Sequence, residues 1–375
     1  MGVRFLHTAD WQLGKAFASF GPDAGVHLRD QRVQTVRQLA DLATQLQVDA
    51  VLVAGDVFEE QLVSLPTITG CLGALERFRG DWVLLPGNHD AAAPGSVWER
   101  AQPLLARLPA VHLALAPEPI AVAQGRLAVL PAPLLRRHES ADASAWWDNC
   151  STPEAAFRVG LAHGSVVGVL PEASEANNPI APDRAVTARL DYLALGDWHG
   201  ARRISDRTWY SGTPEPDRFK ENDAGNVLLV EISAPGATPT ITPIPVAHYR
   251  WTLLDRLLQS RGDAETLDRD LAAAAAPDAG RQVLRLILRG ALPLPDQNWL
   301  QDRLDWWRGQ FLVLEVEDGE LRPLAAAGDF DALDPPGYVA DAVALLRAQA
   351  AAGDATAAGA LSILYRLCAA AGETP

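Results

Sequence analysis

Apolar residues in the N-terminal part of the chain come in short continuous runs, each followed by a polar cluster. Val3–Leu6, Ala50–Ala54, Trp82–Leu85, Arg158–Ala162 and Tyr192–Leu195 read as strands, since runs this short bounded by turn residues favour buried strands. Between the first three runs the period changes. Val33, Val36, Leu39, Leu42, Ala43 and Leu46 recur at helical spacing and place a helix over 28–47; a second is expected over about 65–79. This strand–helix–strand rhythm predicts right-handed crossovers and a largely parallel sheet, with ligands gathering beyond the carboxyl ends of its strands.

Beyond residue 94 the pattern predicts a short helix over 95–108, then strands at 111–115, 119–123 and 126–130, in a more antiparallel arrangement. Trp146 and Trp147 fall in a polar loop or short helix at 141–149, and 171–184 reads as a surface loop. Two further strands are expected near 208–211 and 226–233, and the Pro-rich stretch 235–245 marks a domain edge. From about 246 to 323 a strand–helix–strand–helix–strand pattern without ligand-type clusters predicts a small α/β cap domain. A linker at about 324–336 comes next, and then a helical tail, 337–375, broken near Gly353-Asp354. The domains expected are therefore 1–245, 246–323 and 337–375.

Length and composition narrow the class. At 375 residues the chain exceeds one typical domain, and a 48% hydrophobic content fits a soluble globular protein. No run approaches about 18 apolar residues, and no basic segment with an apolar core opens the chain, so neither a membrane span nor a signal peptide is expected and the cytoplasm is the default. Cys71, Cys150 and Cys368 are too scattered for a disulfide framework or a thiolate zinc site. A net charge of −15 argues against a protein that coats nucleic acid, though not against an enzyme that meets DNA through a local patch and metal ions. Lys15 and Lys220 are the only lysines; with so much alanine, this reads as genome composition rather than function.

The candidate chemistry lies where the strand runs end. Asp10 and Gln12 sit two apart just past the first run, so an extended backbone points both one way. Asp56 follows Gly55, and Gly87-Asn88-His89-Asp90 follows the third run; His163 and then Asp197 and His199 follow the last two. One such residue alone is more often a helix cap or a satisfied core group; five clusters in the same position along their strands point to a site. Mixed oxygen and imidazole ligands suit Mn, Fe or Zn better than Ca. Asp56 is the candidate bridge between two ions, which together would acidify a shared water and grip a phosphate. His89 is the candidate general acid, with Asp90 orienting it.

This order of motifs resembles the calcineurin-like metallophosphoesterases. His7-Thr8-Ala9-Asp10-Trp11-Gln12-Leu13-Gly14 and Tyr210-Ser211-Gly212-Thr213-Pro214-Glu215 look like its SbcD branch, the nuclease subunit of SbcC–SbcD-type DNA repair complexes. The resemblance implies an α/β (α+β) fold: a four-layer αββα sandwich with a small α/β cap domain and a C-terminal helical tail. It implies Mn-dependent cleavage of DNA phosphodiesters, by exonuclease and endonuclease action, with two divalent ions, Mn before Fe, Zn or Mg. By resemblance Asp10, Gln12, Asp56 and His199 hold the first ion, and Asp56, Asn88, His163 and Asp197 the second. The expected partners are DNA, an SbcC-like coiled-coil ATPase reached through the tail, and a second copy of the chain through the helices near 65–79 and 95–108. The chain departs from the family at three positions: Gln12 and Asp197 stand where the family usually has His, and Glu59 where the nuclease branch often does. Ligand capacity is kept and shifted towards oxygen, while double-strand exonuclease action is put in doubt. Substrate contacts are expected from Glu59, Trp11, Trp198, Arg202 and Arg203, with Arg136, Arg137 and Arg218 as further candidates for backbone phosphates; packing into the wall is the other reading for Trp11 and Trp198, and a solvated surface role for the arginines. The rival readings are a small phosphodiester or a phosphoprotein as substrate, and a weakly active scaffold.

Overall fold

The computed structural model describes residues 2–169, 178–324 and 337–372. The expected linker lies outside these residues apart from Leu324, as do positions 171–177 of the expected 171–184 loop. The chain divides into two compact units, Met1–Tyr249 and Arg250–Pro375.

The first unit is built on two six-stranded sheets. One has the strand order Thr240–Pro245, Asn226–Ile232, Val3–Thr8, Ala50–Val53, Asp81–Leu84, Val111–Leu113. The last four run parallel, and Asn226–Ile232 returns antiparallel beside the N-terminal strand. The other has the order Arg202–Arg203, Thr208–Tyr210, Tyr192–Gly196, Phe157–His163, Leu127–Ala132, Ile120–Val122.

Period-two alternation explains the layers. Val51 and Val53 face a core shared with the helices, while Ala50 and Leu52 face a core between the sheets, where they meet Val129, Val159, Leu161 and Tyr192. Both faces of the strand are buried, which is why its sequence reads as a continuous apolar run. Emptying one such position, as in Leu52→Ala, costs about 2–5 kcal/mol. A third cluster, with Leu130, Trp147, Leu193 and Tyr210, covers the outer side of the second sheet. The result is the sandwich of a metallophosphoesterase fold.

Two expectations need correction. The first long helix is Gly21–Gln45, beginning ahead of residue 28. Its opening turn carries Pro22 and Asp23, residues suited to a helix start, whereas the apolar period becomes visible only from Leu28 onward. The antiparallel arrangement expected over 111–130 holds for Ile120–Val122 and Leu127–Ala132, but Val111–Leu113 joins the first sheet parallel to Asp81–Leu84. The second sheet is mostly parallel. Only its two edge pairs are antiparallel; Leu127–Ala132, Phe157–His163, Tyr192–Gly196 and Thr208–Tyr210 run parallel. The long stretches between them, one holding the 3-10 turn Ala145–Asn149 with Trp147 fully buried, act as crossovers that carry the chain back to the starting edge.

Helix Leu65–Leu75 starts on Ser64, whose hydroxyl accepts the Thr67 N–H at 3.3 Å. It and Val97–Leu105 bury Ile68, Cys71, Leu72, Val97, Trp98 and Leu105 over the first sheet.

The second unit has a three-stranded parallel sheet, Arg250–Leu258, Gln282–Pro293 and Val313–Leu324, with helices Arg261–Ala275 and Leu294–Arg308 between the strands. Helices Tyr338–Ala351 and Ala355–Gly372 close the chain and bury Val343 and Leu361 in a small cluster, leaving Leu345, Ile363 and Leu367 exposed. Among the described residues no helix is long and apolar enough to cross a membrane.

Candidate metal centre

The parallel strands Val3–Thr8, Ala50–Val53 and Asp81–Leu84 of one sheet, and Phe157–His163 and Tyr192–Gly196 of the other, end beside one another. Asp10, Asp56 and His163, all buried, each offer a ligand atom within 4.8 Å of the others. Cross-loop bonds hold the strand ends together. The Asp10 N–H donates to Gly55 O at 3.1 Å and the Gln12 N–H to Asp56 O at 2.9 Å. The Asp197 N–H donates to Asp10 Oδ1 at 3.1 Å, and the His89 N–H to Asp56 Oδ1 at 2.9 Å.

The backbone is bent to make this possible. Asp10, Gln12, Asp56 and Asp197 all have positive φ, at 54°, 44°, 52° and 100°. L-residues avoid this region, and each costs on the order of 1–3 kcal/mol that the surrounding packing must hold. The loops also need bare backbone: a Cβ on Gly55 would collide with the His163 ring, and one on Gly87 with the Asp56 carboxylate.

His163 donates Nδ1–H to Ala54 O at 2.8 Å, which turns the Nε2 lone pair inward. Nε2 lies 3.5 Å from Asp56 Oδ1, 3.8 Å from Asp197 Oδ1 and 2.9 Å from Asn88 Oδ1. Turned over, the Asn88 amide would instead donate to His163 Nε2 and to Asp56. Three buried carboxylate and imidazole groups thus converge on one point, with Asn88 beside them. The carboxyl chemistry says the same. Burial pushes Asp10 up to about 6 against the pull of His199 and His163. Burial works against charge on His163 too, yet Asp56, Asp10 and Asp197 raise it to about 9. The donor set therefore fits a divalent ion.

His199, just past the Tyr192–Gly196 strand, is held differently. Its Nδ1 lies 3.1 Å from Asp217 Oδ1 and 2.8 Å from Arg218 Nη2, and its Nε2 lies 3.3 Å from Gln12 Nε2. With Nδ1–H donated to Asp217, the Nε2 lone pair accepts from the Gln12 amide. Asp217 is buried; burial alone would raise its pKa, but His199 and Arg218 hold it well below the usual carboxylate range. Arg32, buried on the first long helix, donates to Trp11 O at 2.7 Å and to Glu215 O at 3.2 Å. Glu215 in turn accepts from Thr35 Oγ1 and from the His248 and Tyr249 N–H groups. Arg32 thus ties the Asp10–Gln12 loop to the loop that carries Asp217.

Three expectations about individual residues change. Asp90 does not orient His89: it accepts the Phe58 and Gly87 N–H groups at 3.0 and 2.6 Å and pins the turn, while His89 Nδ1 meets Glu59 O at 2.7 Å. The cause is burial, which leaves the Asp90 carboxyl facing backbone N–H groups and pushes it up to about 7. Trp11 is 1% exposed, with its indole N–H on Thr8 Oγ1, so it packs in the core and offers no face to a base. Lys15 and Lys220, set aside as a matter of composition, both lie at the centre. Lys15 Nζ is 3.3 Å from Glu59 Oε1 and from Asp217 Oδ2. Lys220 Nζ stands 3.9 Å over the Trp198 ring, beside Arg202 at 5.6 Å. Trp198 is partly exposed, and Arg203 is exposed and paired with Asp206. Arg136 and Arg137 are exposed as well.

Sequence reasoning passed over Arg32, Asp217 and both lysines. Lys15 directly follows the His7–Gly14 motif, and Asp217 and Lys220 lie within a few residues after the Tyr210–Glu215 motif. Proximity to the two motifs was the available signal.

Comparison with known proteins identifies the family. The chain is 27% identical over 248 residues to the uncharacterized metallophosphoesterase YhaO of Bacillus subtilis, covering 62% of this chain and 58% of that protein, less than two-thirds of its length. It is 28% identical over 293 residues to the SbcD component of the SbcCD nuclease of Rhodobacter capsulatus, covering 65% of this chain and 69% of the relative. The crystal structure of TT1561 of Thermus thermophilus superposes at a TM-score of 0.42 with 12% identity, over 66% of this chain and 100% of that one. The calcineurin-like phosphoesterase pattern runs through residues 3–201, more than half of the chain and all five strand ends of the centre, and the chain belongs to that family.

Proposed function

We propose that the chain is a metal-dependent phosphodiesterase that cleaves DNA strands in repair, in the cytoplasm, together with an SbcC-like coiled-coil ATPase. The observation that carries this reading is the convergence of Asp10, Asp56 and His163, with the His89 imidazole beside Asp56. Asp10, Asp56, Asn88, His163 and Asp197 would hold a divalent ion, Mn being the best match to this oxygen-rich set, and Gln12 and His199 are the side chains within reach of any second ion. Such ions, when bound, supply positive charge to the phosphate and make water a better nucleophile.

The chain's own residues do the rest. His89, whose Nε2 lies 4.0 Å from Asp56 Oδ2, would hand a proton to the departing sugar oxygen. The Glu59 carbonyl fixes its Nδ1–H, so only Nε2 is free to move that proton. Asp90 holds the turn that carries it. Trp198, with Arg202 and Lys220 over its ring and Arg218 nearby, offers a cationic rim to neighbouring phosphates in an otherwise acidic chain. Exposed Leu345, Ile363 and Leu367 on the terminal helices support docking of the ATPase, and Leu62 and Leu65, both exposed, support pairing with a second copy.

The test is Mn-dependent hydrolysis of single-stranded, hairpin and duplex DNA beside bis-p-nitrophenyl phosphate. His89→Ala is expected to lower kcat about 10²–10⁴-fold while calorimetric Mn binding stays intact; wild-type turnover in that variant sinks the assignment. A second reading, a small phosphodiester as substrate, draws on the net charge of −15. Hydrolysis of bis-p-nitrophenyl phosphate without cleavage of any DNA would favour it.

A further inference from the structure

Lys15 makes the two imidazole corners of the centre unequal. Its ammonium lies 3.3 Å from Gln12 Oε1, 3.3 Å from Glu59 Oε1 and 3.3 Å from Asp217 Oδ2, and its side chain is 23% exposed. An ammonium has three donors and no acceptor, and here three acceptors take them up. Gln12 therefore presents its oxygen to Lys15 and its amide N–H to His199 Nε2. Those are the two atoms an ion at this corner would need beyond the shared carboxylates, and the chain's own N–H groups engage both. At the His163 corner no fixed cation intrudes among the contacts of the described residues. There the carboxylates meet neutral donors, the Asp197 and His89 N–H groups and the Ser165 hydroxyl, and His163 Nε2 meets Asn88, whose amide presents either oxygen or nitrogen by a simple turn.

Building on the metal-dependent phosphoesterase reading above, we propose that this is a one-ion centre. A divalent ion binds at Asp10, Asp56 and His163, and the Lys15 ammonium, held by Gln12, Glu59 and Asp217, stands where a second ion would compete for the same oxygens. Glu59 belongs to this device: a carboxylate there anchors the ammonium, which an imidazole at the same position would repel once protonated. Gln12 belongs to it as well, because an amide can accept from Lys15 and donate to His199 at once, which no single imidazole nitrogen can do.

The experiment is Mn titration of the full chain, read by calorimetry and by electron paramagnetic resonance. The wild type is expected to bind one ion per chain with the spectrum of an isolated Mn(II), any second ion binding about 100-fold more weakly, the scale on which removal of supporting groups alters metal sites. Lys15→Met and Gln12→His, tested separately, are each expected to strengthen the second ion at least about tenfold and to bring up an exchange-coupled spectrum. Two ions of matched affinity with a coupled spectrum in the wild type overturn the one-ion proposal and leave the phosphoesterase reading standing. Unchanged second-ion binding in both variants overturns it too. The wild-type count does not depend on either variant folding. A wild-type chain that takes up no Mn at all overturns both readings.

Discussion

His163 and His199 reach the same centre from neighbouring strands of one sheet, each with Nδ1 against an oxygen and Nε2 turned inward. Their surroundings differ in charge. His163 leans on the neutral Ala54 carbonyl and looks out on Asp10, Asp56 and Asp197, a set of acceptors short of a cation. His199 leans on the Asp217 carboxylate and looks out on Gln12, with Lys15 and Arg218 already balancing Asp217. Two similar imidazoles are thus set for different tasks: one corner demands an added positive charge, and the other carries its own. The distinction lies in what stands behind each ring rather than in the ring itself.

The largest effect that would test this comparison comes from Arg32, the buried cation that joins the loops of the His199 corner. Arg32→Met strips the Trp11 and Glu215 carbonyls of their donor and leaves buried carboxylates less compensated. It should cost about 3–5 kcal/mol in urea unfolding; a loss near zero would mean that the two loops hold their geometry independently. Next comes the direct contrast. His163→Ala should weaken Mn binding at least about 100-fold and His199→Ala about tenfold or less, both read by calorimetry. Equal losses would erase the difference between the corners. The smallest effect concerns the outer rim. Lys220→Gln should raise KM for a DNA strand several-fold and lower the slope of log affinity against log salt by about one, with hydrolysis of bis-p-nitrophenyl phosphate unchanged. Equal loss on both substrates would move Lys220 from the rim into the support of Trp198.

Much of the fold was legible because both faces of the central strands are buried. Ala50–Val53 and Tyr192–Gly196 announce themselves as apolar runs, and the polar residues at their ends follow from where parallel strands stop. Other features were hidden. The parallel pairing in the second sheet depends on crossovers without helical periodicity, such as the stretch holding Trp147, so no period announced them. Trp11 looked available for stacking because it sits between two polar candidates, yet the positive φ of its neighbours Asp10 and Gln12 turns the loop and drives the indole into the core. Asp90 looked like a partner for the adjacent His89; the turn used it for backbone N–H groups instead.

By itself the sequence determined which side chains arrive at the strand ends, because hydrophobic runs fix where each strand lies and where it stops, and the next few residues are then carried to the rim of the sheet. It therefore determined which candidate side chains arrive there: Asp10, Gln12, Asp56, Asn88, His89, His163, Asp197 and His199. Only the tertiary structure decided how that inventory is divided. Lys15, Arg32 and Asp217 act through contacts between loops that are distant in the chain, and the energy of a charge depends on which opposite charges and dipoles surround it in space. No local pattern of residues encodes that.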